Sequence, residues 1–162
     1  MGFSLLPLVV LTLFVSVFAI ERNRAQDTMP PAVAIQAVQS GQMFVAYRNA
    51  VAAYQNSNPS FTGTVSAAAL LAQGNQFSAA FLASAGNAIT ATAGGGRVIT
   101  CFASLPTGSI NAALDAAQND PSLGMAWGAN WTSYAPGASY TPTPLATSVP
   151  NGAVVSVVQI GN

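Results

Sequence analysis

Five side chains beyond Asp27 could carry chemistry: Arg48, Arg97, Cys101, Asp115 and Asp120. Two nearby carboxylates can divide general acid and general base roles when one is held protonated. Asp115 and Asp120 lie five apart around a predicted helix end, a spacing that suits one solvent-facing carboxylate and one cap better than a catalytic pair. Cys101 stands in the apolar run "RVITCFAS", where a lone thiol is usually a small buried hydrophobe. Thiolate attack would need a neighbouring base or cation, and none is visible in the sequence. The chain has no His, so a metal would have no imidazole to join the single thiol. Gly94, Gly95 and Gly96 lack the Lys-Ser/Thr pair of a phosphate loop and read as a turn. Asn130, Trp131 and Thr132 match a glycosylation pattern that is common by chance.

Composition narrows the function classes further. Charged residues make up 5% of the 162-residue chain, with one Glu, three Asp, four Arg and no Lys; an average soluble domain carries about 25%. Nucleic-acid binding needs a basic patch, and two separated Arg do not make one. No small-molecule substrate, cofactor or metal is indicated, and the chain reads as a non-enzyme with no catalytic, cofactor-binding or metal-ligating residues to assign. A secreted enzyme is the least supported reading, because the side-chain inventory is so poor.

The elements that would position these residues begin after the paired prolines Pro30 and Pro31. Ala37, Phe44 and Val51 recur at spacing seven, with Tyr47 and Tyr54 alongside, which predicts an amphipathic helix ending at Asn58 before Pro59. Gly41 weakens its middle by about 1 kcal/mol relative to Ala. Arg48 on this helix reads as a solvated outer-face residue or as a docking contact, the former being the simpler. Ser66 predicts a cap for a short helix that stops at Gly74. Residues 88–92 and 97–104 flank the glycine turn as a hairpin. A second short helix is expected from Ile110 to Gln118 with Ser109 as its cap, stopped by Pro121. "LGMAWGA" is a candidate strand, residues 130–150 read as an irregular loop, and "GAVVSVVQI" as a buried β-branched strand. Trp127, Trp131, Tyr134 and Tyr140 form either a contact patch or a cover for the end of the sheet, and packing is the preferred role because such residues bury large areas.

Residues 2–20 are uncharged and as a helix would span roughly 28 Å, close to a bilayer core. The expected organisation is a transmembrane anchor over 1–20, a linker over 21–30 and one α+β domain over 31–162, in which the long helix packs on a small, mainly antiparallel sheet with short extra helices. Cleavage after Ala19 is disfavoured by the missing basic n-region and the long apolar run. Arg22 and Arg24 favour a cytoplasmic body under the positive-inside rule, whereas the Ala-, Ser-, Thr- and Gly-rich composition resembles an exported surface.

The order of elements resembles the pilin layout. "MFVAYRNAVAAYQNSNPSFTGTVSAAAL" (43–70) and "TPLATSVPNGAVVSVVQIG" (143–161) are similar to the PilM family of small inner-membrane proteins of type IVb-like thin-pilus systems on conjugative plasmids. The actin-like ATPase of the same name is a different protein, and no nucleotide motif occurs here. The resemblance implies a non-catalytic inner-membrane component of a pilus biogenesis apparatus. It would be a single-pass protein with a periplasmic body that meets other pilus assembly proteins or pilins through its long helix and sheet edge. Self-association into a homo-oligomer is left open. The alternative is a minor pilin or pseudopilin incorporated into the fibre. Gly2–Phe3 imitates a prepilin cleavage junction, but Pro7 stands where pilins usually have Glu, so a permanent anchor is expected.

Overall fold

Small and apolar side chains at helical spacing give the first element, α1 (Ala32–Ser57), in a computed structural model that describes residues 32–161. Ala37, Phe44, Tyr47 and Val51 are buried as the spacing predicts, and Tyr54 is half-buried. The opposite face carries Ala34, Gln42, Ala46, Asn49 and Ala53, all exposed. The stripe therefore differs from its surroundings more in side-chain size than in polarity. Asn58 ends the helix as expected, and its side-chain amide donates to the Tyr54 carbonyl at 2.9 Å.

Two short helices follow, α2 (Ala67–Ala72) and α3 (Ala79–Ser84). Ser66 caps α2 by accepting the Ala69 N–H at 3.2 Å, and Ser78 caps α3 by accepting the Phe81 N–H at 3.2 Å. Sequence reasoning anticipates α2 but leaves α3 unassigned, although Ser78 before "AAFLA" is a cap signal of the same kind.

The strands are β1 (Ala85–Ala91), β2 (Arg97–Ala103), β3 (Leu123–Trp127), β4 (Asn130–Ser133), β5 (Thr143–Pro144) and β6 (Val154–Ile160). All pair antiparallel in one sheet ordered β1-β2-β6-β3-β4-β5. Between β2 and β3 lies the last helix, α4 (Ser109–Ala116). Strand alternation turns Ile89, Ile99, Cys101, Ala103, Leu123 and Val154 towards the main core, which they share with Phe44, Tyr47 and Val51 of α1. The other face carries a smaller cluster of Ala126, Val149, Ala153 and Val155.

The structure corrects three expectations. Ser109 is not the cap of α4: Gly108 takes that position at φ 89, a left-handed turn that glycine adopts without Cβ strain. Residues 130–150 are not wholly irregular, because the Gly128–Ala129 turn folds β4 back on β3 and β5 then pairs Asn130 with Pro144. The hairpin begins at Ala85 instead of residue 88, since α3 runs directly into β1. The predicted span over 1–20 and linker over 21–30 lie outside the described residues. Among the described residues, no helix is long and apolar enough to cross a membrane. Residues Gln36–Asn162 group as one compact unit.

Candidate docking surface

Arg48 points inward, not to solvent. Its guanidinium pairs with the Asp120 carboxylate at 2.7 Å, and the two side chains are 14% and 31% exposed. The same group donates to Ser122 Oγ at 2.9 Å and Ser156 Oγ at 3.4 Å. Asp120 also accepts the Ser122 N–H at 2.9 Å. Burial pushes the Asp120 carboxyl upward, but the bonds from Ser122 and Arg48 together outweigh it and hold the group below the usual carboxylate value. Both readings of Arg48, solvated residue and docking contact, give way to an internal clamp. It joins α1 to the turn before β3 and to β6.

Asp115 is exposed at the end of α4, so the structure does not bring the two carboxylates together as an acid/base pair. Arg97 lies at the start of β2 and donates to the Gly95 and Gly96 carbonyls at 3.1 and 2.9 Å. It closes the glycine turn. Cys101 is 1% exposed in the main core, and burial pushes its thiol up to about 12 despite the opposing influence of Arg48. A thiol so protonated is a poor nucleophile. Among the described residues no group of three His, Cys, Asp or Glu could hold a metal ion.

A second polar node lies deeper, and its partners were not legible in advance. Asn87 on β1 accepts the Val65 N–H at 2.7 Å and donates to the Val65 carbonyl at 3.0 Å and to Tyr47 Oη at 2.7 Å. Its amide thus substitutes for a strand partner and fixes the segment before α2 against β1. Tyr47 meets Phe77 and Phe81 edge-on at 5.4 and 5.5 Å. Burial raises the Tyr47 hydroxyl above its ordinary value, against the pull of the Asn87 bond. This node reads as structural.

What remains for function is surface. The sheet edges offer little room for strand addition, contrary to the expected docking by a sheet edge. β1 is bridged by Gly63 at Ile89, and the other edge is the two-residue β5 ending in Pro144, a combination that blunts an edge. Trp127, Tyr134 and Tyr140 are 58%, 39% and 69% exposed. The preferred packing role fails for these three, while Trp131 is half-buried. Trp127 sits at the end of β3, where the sheet runs out before the indole is covered. Two shallow depressions flank the sheet. One of about 360 Å³ is lined by Ala67, Leu71, Phe77 and Leu82, and the other of about 380 Å³ by Gly128, Ala129, Leu145 and Thr147.

A helix laid across an antiparallel sheet, with its few charges used internally, is the arrangement to be compared with known proteins. A family model described as PilM matches residues 10–157. The chain belongs to the PilM family. A crystal structure of a protein designated PilM from Escherichia coli B7A has a TM-score of 0.58 with this chain and 14% identity, over 81% of this chain and 98% of that one. At that identity the likeness concerns the fold. No curated protein matches the chain. Membership of the PilM family associates the chain with pilus biogenesis and, as partners, with other pilus assembly proteins.

Proposed function

We propose that the chain is a non-catalytic component of a pilus biogenesis apparatus, attached to the inner membrane through residues 1–20, with its folded unit in the periplasm, working through protein–protein contacts. The family match over residues 10–157 carries this reading. It is supported by the fate of the residues that could have done chemistry: Arg48 and Asp120 pair with each other and Cys101 is sealed in the core. The periplasmic side is favoured by the role, against the weak charge asymmetry set by Arg22 and Arg24. An alkaline phosphatase fusion at Asn162 tests the placement, since the enzyme is active only after export. Stable expression with low activity would sink the periplasmic assignment.

A minor pilin or pseudopilin is the second reading, and the Gly2–Phe3 junction together with a helix over an antiparallel sheet favours it. The mass of the chain isolated from membranes separates the two. An intact Met1 excludes ordinary prepilin processing, and a Phe3 amino terminus would replace the permanent anchor by a fibre subunit.

A further inference from the structure

Asn151 is the only Asn in the chain that is followed by Gly, and such a pair carries its own chemistry. Gly152 has no side chain to shield its main-chain nitrogen. In a mobile chain that nitrogen can reach Cγ of the Asn151 amide, the kind of attack that makes Asn a labile residue. How fast this happens in the folded protein depends on where the two reacting groups are held.

The fold engages both. Asn151 and Gly152 are the central residues of a turn in which the Ala153 N–H donates to the Pro150 carbonyl at 3.2 Å. Gly152 sits at φ 74, a value that favours glycine at this turn position. The attacking nitrogen is committed elsewhere, since the Gly152 N–H donates to the Ala126 carbonyl at 2.9 Å, and the Ala126 N–H returns a bond to the Ala153 carbonyl at 3.0 Å. The amide under attack is tied down as well, because Asn151 Oδ1 accepts the Gly128 N–H at 2.5 Å. Asn151 is exposed, so water reaches it freely. Its protection therefore comes from hydrogen bonds and not from burial. Ala126 belongs to β3 and Gly128 to the turn after it, so these bonds exist only while the β3–β4 hairpin and the approach to β6 are together.

We infer that Asn151–Gly152 is a modification site gated by folding: withheld in the native unit, and converted spontaneously to aspartate and isoaspartate in a chain whose β3–β4 hairpin has not met β6. Hydroxide takes the Gly152 N–H proton and the nitrogen bonds to Asn151 Cγ. The Cγ–Nδ2 bond then breaks, and the amide leaves as ammonia after taking a proton from water. Water opens the resulting succinimide at either carbonyl. Opening at Cγ gives aspartate, which keeps an oxygen to accept the Gly128 N–H and leaves the main chain unchanged. Opening at the main-chain carbonyl gives isoaspartate, which adds a methylene to the main chain. Gly152 and Ala153 are then out of register with Ala126, at the entry to the strand that joins β2 to β3. One product fits the fold and the other does not.

The test incubates the full chain in mildly alkaline heavy-oxygen water, once in native buffer and once in urea. Peptide mass mapping reports label uptake at Asn151, and electron-transfer fragmentation separates isoaspartate from aspartate. The expected rate in urea is at least about tenfold the native rate, because reaction follows the population of opened chain. Equal rates in the two states, or no reaction in either, overturn the inference. Gly152→Ala in urea should slow the reaction sharply, a comparison that does not require the variant to fold. An unchanged rate there overturns attack by this nitrogen. When urea is removed from the aged chain, aspartate should appear with unmodified Asn151 in the protease-resistant fraction, and isoaspartate in the cleaved one. Asn151→Asp, made directly, should refold like the parent. Isoaspartate shared equally between the fractions, or an Asn151→Asp protein that does not refold, overturns the part assigned to the turn.

Discussion

Replacing Gly41 by Ala should destabilise the protein, although the same change at an ordinary helix position stabilises it. The helical term favours Ala by about 1 kcal/mol. Against it stands the contact between α1 and α4. A Cβ at Gly41 would lie 2.5 Å from the Ser109 carbonyl oxygen, 2.8 Å from Ala112 Cβ and 2.8 Å from the Ala113 nitrogen. Two of these three atoms are main chain, and Ser109 and Ala113 are both 0% exposed, so relief requires α4 itself to move. Overpacking of this kind costs about 1–3 kcal/mol, and the main-chain contacts place Gly41 near the upper end. The net loss should be about 2 kcal/mol, seen as a fall in Tm of roughly 6–10 °C for a unit of this size.

Thermal and urea unfolding of Gly41→Ala would be read beside Ala53→Gly, a change on the exposed face of α1 that should cost about 1 kcal/mol by propensity alone. Ala112→Gly removes one of the three obstructions, so the double variant should recover part of the loss, with a coupling of about 0.5–1 kcal/mol. A Gly41→Ala protein as stable as the parent, or strictly additive behaviour of the pair, would refute the close helix contact as the reason for glycine here.

Three further outcomes are expected. Asn87→Ala strips partners from the Val65 N–H, the Val65 carbonyl and Tyr47 Oη, and should cost about 3 kcal/mol in urea unfolding; a loss below about 1 kcal/mol would mean that water replaces the amide. Asp120→Asn should cost about 1 kcal/mol at neutral pH and flatten the acid side of the stability curve. The folded Asp120 value is depressed, so its contribution is present above the unfolded carboxylate value and disappears as pH falls through the folded one; an unchanged acid slope contradicts this. Cys101, raised to about 12 and sealed in the core, should resist iodoacetamide in the native protein at pH values near 8 and react on unfolding. Rapid native-state alkylation measured by intact mass would show that the core opens there.

The elements written in local chemistry were legible. The spacing of Ala37, Phe44 and Val51 gave α1 its buried face, Asn58 before Pro59 marked its end, and Ser66 marked the start of α2. β4 and α3 were missed for different reasons. β4 lies in a Ser-, Thr- and Gly-rich stretch whose strand character comes from pairing with β3, and tertiary pairing overrides weak propensity. α3 is as short as α2 and carries the same serine cap, but it runs straight into β1 with no Gly or Pro between them to mark its end, as Gly74 does after α2. Gly41 was readable as a weakness of α1 but not as a helix contact, because α4 approaches it from far along the chain. The surface was misread for a related reason: burial of large aromatics is a sound expectation, yet Trp127 stands where the sheet ends.

Arg48 shows most directly how a scarce charge alters what the surface can do. A lone Arg on a helix otherwise free of charge is normally assigned to solvent, but here its partners come from the β3 approach and from β6, far along the sequence. The clamp withdraws Arg48 and Asp120 from the surface field, so Arg97 and Asp115, of opposite sign, are the two charges with no counter-ion among the described residues. Long-range steering needs a patch of one sign, and these two cannot supply it. Encounters with a partner should therefore proceed at unsteered rates, roughly 10⁵–10⁷ M⁻¹s⁻¹, and change little with ionic strength. Selectivity then has to come from shape and from the exposed aromatic and apolar side chains, of which Trp127, Tyr134 and Tyr140 are the largest. A strong salt dependence of association would locate the contact elsewhere, and Arg22 and Arg24 would be the cations left to explain it.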